Sequence, residues 1–192
     1  MFKREYQLTH DIDWFCLLNG IPIHAASNGG IMPRKLCTVE ELREIQNTVK
    51  IAEDLYDFEI NRNVEISPNP YLDDFGDNFY YFFPEAVGLF GEYNLTNSQK
   101  AYYWSFVKMA KKGFYSFDKC KNSNSYQIVA WPKQCSYGDK RLTQILMPVI
   151  YGCFYFTLAK FIDRFEDFVR HNNPINLVGI INRLYDHGYK LN

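Results

Sequence analysis

Asp11, Asp13, His24 and Asn28 are side chains near the amino terminus that could do chemistry, and the pair Gly29-Gly30 follows them directly. An imidazole beside a carboxylate is the minimal general-base pair, because the carboxylate fixes the imidazole tautomer and raises its basicity near neutral pH. Backbone amides of a glycine pair offer donors to an anion. The reaction this set would support is a hydrolysis, with His24 as the base and Asp13 orienting it. Asn28 or the amides of Gly29 and Gly30 would hold an oxyanion or a phosphate.

Whether those groups converge depends on the elements that carry them. Asn19-Gly20 is the dipeptide that a two-residue type I′ turn demands, and it stands between two strand-like apolar runs. The resulting hairpin register places Leu18 across from Ile21, Cys16 from Ile23, Trp14 from Ala25 and Ile12 from Ser27, all on the core face. The opposite face carries Asp11, Asp13, Phe15, Leu17, Pro22, His24, Ala26 and Asn28, and is expected to be the solvated one. There His24 lies diagonal to Asp13, a spacing that long side chains bridge. His10 falls on the core side, so the acids and histidines do not close around a metal, and no cofactor is expected. The plainer reading of the set is the polar outer face of a sheet.

Four other stretches invite a function and have an ordinary explanation. SNGG, residues 27–30, lacks the lysine and the spacing of a phosphate loop and reads as a turn that redirects the chain. LDDFGDN, residues 72–78, gathers three aspartates around a glycine but departs from the order of a calcium loop. The runs FYYFF (79–83) and YYW (102–104) consist of side chains that point both ways along any regular element. Core packing accounts for most of them. Tyr80 and Tyr81 are nevertheless candidate contacts to a protein partner, since tyrosine is enriched at interfaces.

The remaining chain predicts an α+β fold: an antiparallel sheet built from two β-hairpins and packed against about four helices. Strand patterns occur at FYSFDK (114–119) and YQIVAW (126–131), with a shorter one at 64–66. Helices are expected over 38–61 by apolar spacing behind a capping box at Thr38 and Glu41, over 98–112 by composition, over 139–170 with a kink or break at Pro148, and over 174–187 with Asn173 as cap. The 192 residues, 47% of them apolar, suffice for one domain with a large core, over which residues 63–96 form a possible covering sub-lobe.

A net charge of −1 gives no electrostatic grip on phosphates, which argues against nucleic acid as a partner. Five cysteines, odd in number and without ligand spacing, suit reduced thiols in the cytoplasm. No apolar run follows the amino terminus, so no signal peptide is expected. The apolar stretch 142–159 is interrupted by Gln144, Pro148 and Gly152 and reads as a buried helix, not a membrane span. Nothing in the pattern sets an oligomeric state. Without a strong catalytic, metal or nucleotide motif, and with 18% aromatic residues, the first functional expectation is a cytosolic protein-interaction or regulatory module of the immunity type. The hydrolase built on Asp13 and His24 is the alternative.

Overall fold

DWFCLL and IPIHAA pair in the register that their sequence implies. In the computed structural model, Trp14 stands opposite Ala25, Cys16 opposite Ile23 and Leu18 opposite Ile21. The structure describes residues 2–18, 21–34, 64–66, 96–111, 114–121, 123–132, 155–156 and 174–186. The Asn19-Gly20 turn, the 38–61 helix with its capping box, the acidic 72–78 stretch and the aromatic 79–83 run all lie outside those residues.

The described elements are, in chain order, α1 (Arg4–Thr9), β1 (Asp13–Leu18), β2 (Ile21–Ala26), β3 (Val64–Ile66), α2 (Asn97–Lys111), β4 (Tyr115–Lys119), β5 (Tyr126–Pro132), β6 (Tyr155–Phe156) and α3 (Leu177–Asp186). The fold is α+β, and the strands form one sheet ordered β3-β5-β4-β2-β1-β6.

The sheet is mixed, which corrects the antiparallel expectation. β1–β2, β4–β5 and β3–β5 run antiparallel, but β2 lies parallel to β4 and β1 parallel to β6. Parallel neighbours need a crossover of a dozen residues or more. The chain between Ala26 and Tyr115 supplies one, and it carries α2.

A second correction concerns the face expected to meet water. Cross-strand partners share a face, so Trp14, Ala25, Phe117 and Ile128 form one row and Phe15, His24, Ser116 and Ala130 another on the opposite side. Both rows are buried: Trp14 and Ala25 are 0% exposed, and so are His24 and Ser116. The cause is α2, whose Tyr103, Phe106, Val107 and Ala110 recur at helical spacing and join Ala26, Val129 and Ala130 in one core cluster. A capping box fixes the start of this helix. The amide of Thr96 donates to Gln99 Oε1 at 2.9 Å, and the amide of Gln99 returns a bond to Thr96 Oγ1 at 3.3 Å.

Three local differences follow from packing. Ile175 exchanges backbone hydrogen bonds with Tyr126, of 2.6 and 2.8 Å, so the last helix starts later than 174. Its cap is Asn176, whose Oδ1 accepts the Gly179 amide at 2.8 Å; Asn173, the expected cap, lies outside the described residues. Tyr155 and Phe156, read as helical from the 139–170 pattern, are strand residues beside Leu17 and Leu18. α1 had no counterpart in the sequence reading. Gln7 ties it down by accepting the Met32 amide at 2.9 Å and donating to Phe2 O at 3.0 Å. Among the described residues no helix is long and apolar enough to cross a membrane. Most of 142–159 is outside them.

Candidate functional site

Two residues along β1, β2 and β4 from the buried Phe15–His24–Ser116 row, the next row on the same face is Asp13, Ala26 and Asp118, continued by Gln127 on β5. α2 roofs the first row and only partly covers the second. The space left is a cavity of about 360 Å³, lined by Asp11, Asp13, Asn28, Asp118, Lys119 and Gln127 from the sheet end and by Tyr102, Ser105 and Phe106 from α2. That volume is in the lower range of small-molecule sites.

Asp118 is the group most altered by this setting. Burial pushes its carboxyl up to about 6, because the charged form loses water. The Tyr102 hydroxyl opposes the rise by donating to Oδ2 at 2.8 Å, and the charge of Asp11 adds to it. Cys120, also in the cavity wall, has its thiol pushed up by burial first and by the nearby Asp118 second.

The Asp13–His24 approach expected from the register is present, with Nε2 of His24 3.3 Å from Oδ1 of Asp13. The distance is that of an ion pair, but Nε2 makes no hydrogen bond in this arrangement, so the carboxylate lies off the N–H axis. On the other side of the ring, Nδ1 is 3.2 Å from Ser116 Oγ. Phe15 and Phe106 stand 5.2 and 5.9 Å from the imidazole centroid. The His24 side chain is 1% exposed and that of Asp13 46%. A molecule in the cavity therefore meets Asp13 and not His24, the reverse of the order in which the sequence reading placed them.

Of the turn formed by Asn28, Gly29 and Gly30, Asn28 lines the cavity. Asn28 and Gly29 have φ of 41° and 64°, a left-handed turn that brings the Asn28 amide to Asp11 Oδ1 at 2.7 Å. The Gly30 amide donates to Ser27 O at 2.7 Å. These two amides are engaged within the loop, so neither is aimed at an oxyanion. The side chain of Lys119 crosses Gly30 where a Cβ would stand, and Asn28 Nδ2 donates to Lys119 O at 3.3 Å. His10 stacks on Tyr6 at 3.8 Å and does not line the cavity. Tyr80 and Tyr81 lie outside the described residues. Among those residues no three His, Cys, Asp or Glu side chains are grouped to hold a metal ion.

Sequence reasoning did not single out Asp118, Ser116 or Tyr102 as site residues. The one local signal was a carboxylate inside the otherwise aromatic strand pattern FYSFDK. No family model, curated protein or solved structure matches the chain.

Proposed function

We propose that the protein binds a small polar ligand in the cavity beside α2 and carries out acid–base chemistry of the hydrolase type on it. Asp118 is the proton donor and Asp13 the acceptor that activates water. The observation that carries this reading is a carboxyl group held at about 6 in the wall of a ligand-sized cavity, with a second carboxylate opening onto the same space. Acids and bases of a site are recognised by environments that separate their proton affinities. On this reading the pairs β1–β2 and β4–β5 are the two hairpins that bring Asp13 and Asp118 together, in a cytosolic protein.

The test is a panel of ester, phosphoester, glycoside and amide substrates, run on wild type, D118N and D13N, with folding checked by circular dichroism. Turnover of one class that falls at least a hundredfold in each variant supports the assignment. Undiminished turnover in D118N removes it.

The second reading is the protein-interaction module, which acts by occupying a partner. Tyr6 and Leu8 of α1, 44% and 49% exposed, support it. A partner captured stoichiometrically by wild type and lost in a Y6A/L8A double variant, with no turnover in the panel, would favour it over the hydrolase.

A further inference from the structure

Ser116, His24 and Asp13 come from three adjacent strands, and only the last reaches the cavity. The imidazole cannot swing, because it is enclosed between Phe15 and Phe106 and has no exposed surface. A neutral imidazole carries its proton on one nitrogen and a lone pair on the other. With the proton on Nδ1, the Nε2 lone pair would face a carboxylate oxygen 3.3 Å away, two acceptors set against each other at low dielectric. With the proton on Nε2, the N–H lies beside Asp13, off the axis of its carboxylate, and the Ser116 hydroxyl donates to Nδ1 across 3.2 Å. The second arrangement sets an N–H, and not a lone pair, beside the carboxylate and gives Nδ1 a donor.

We propose that Ser116 and His24 form a buried positioning pair for Asp13. The serine hydroxyl gives Nδ1 the donor that the Nε2–H tautomer needs, and that N–H, 3.3 Å from Oδ1, turns the Asp13 carboxylate toward the cavity. This rests on the cavity being the functional site, and it makes His24 a positioning residue that acts through Asp13, not the base itself.

The experiment is ¹⁵N NMR of the His24 ring, with the χ1 couplings of Asp13 measured in wild type, H24N, H24Q and S116A. Asparagine places its amide where Nδ1 stands and can keep the Ser116 bond, but offers nothing to Asp13. Glutamine reaches the Nε2 position. The expected result is an Nε2–H tautomer in wild type, one Asp13 rotamer in wild type and H24Q, rotamer averaging in H24N, and a mixed tautomer in S116A. A side chain needed only for packing would not separate H24N from H24Q. An Nδ1–H tautomer in wild type overturns the proposal, as does an Asp13 rotamer that stays fixed in folded H24N. Should H24N not fold, an unmixed tautomer in S116A overturns it equally. Ordered Asp13 with no turnover of any substrate would count against the hydrolase reading alone, whereas turnover with an Nδ1–H imidazole would count against the positioning pair alone.

Discussion

A carboxyl group that burial holds at about 6 binds its proton more tightly in the folded chain than in the unfolded one, where it returns to its ordinary value of 3.8. Asp118 therefore contributes stability that is complete below that ordinary value and is lost as the pH rises through the folded one. D118N keeps an acceptor for the Tyr102 hydroxyl and removes the charge. Relative to wild type, the variant should gain on the order of 1–2 kcal/mol between about pH 4 and pH 7, as read from urea unfolding at the two values. A difference that stays constant across that range would mean that Asp118 does not titrate there. The same proton sets the rate if Asp118 is the donor. Turnover should then fall about tenfold for each pH unit above its titration point, and Y102F should move that break to higher pH, because the hydroxyl that favours the ionised form is gone.

At the level of elements, what could be read from the sequence was whatever neighbouring residues carry between them. The β1–β2 register follows from Asn19-Gly20 and the alternation on either side, and α2 from the helix-forming composition of residues 98–112. The Asp13–His24 approach came with that register. Ser116 did not, because it lies 92 residues from His24 and nothing local announces a parallel pairing between β2 and β4. Asp118 was hidden for the same reason. Burial of the second face was equally non-local: the face looks half polar in isolation, and among the described residues the docking of α2 closes it. Tyr155 and Phe156 show tertiary override in the other direction, with a helical pattern yielding to the open edge of β1. The docking of α2 has a measurable consequence. Phe106→Ala unroofs His24 and should cost about 3–5 kcal/mol, with faster amide exchange at His24, whereas Phe106→Leu should cost much less. Exchange at His24 that is unchanged in a folded Phe106→Ala protein would separate the helix from the protection of this face. At α3, Asn176→Ala removes the cap and should cost about 1 kcal/mol in the same unfolding experiment.

Considered as a whole, the molecule places β4, β2 and β1 in the interior of the strand order and covers both faces of β2, so opening this part of the sheet should require the cooperative core to open with it. Two cysteines report on that at different depths. Cys16, in the middle of β1 and paired with Ile23, has no exposed surface, and burial drives its thiol far above the ordinary range, since a thiolate there would be stranded without water. Cys120 stands half-buried in the cavity wall. A thiol reagent followed by peptide mapping should modify Cys120 in the native protein and leave Cys16 untouched until urea unfolds the chain. The urea dependence of Cys16 labelling should match the slope of global unfolding. Labelling of Cys16 with a shallow urea dependence would mean that β1 opens by itself, and a strand that opens by itself cannot hold Asp13 rigidly at the cavity. Protection of Cys120, but not of Cys16 in partly denatured protein, by a compound from the substrate panel would place that compound against the wall formed by Asp118 and Lys119.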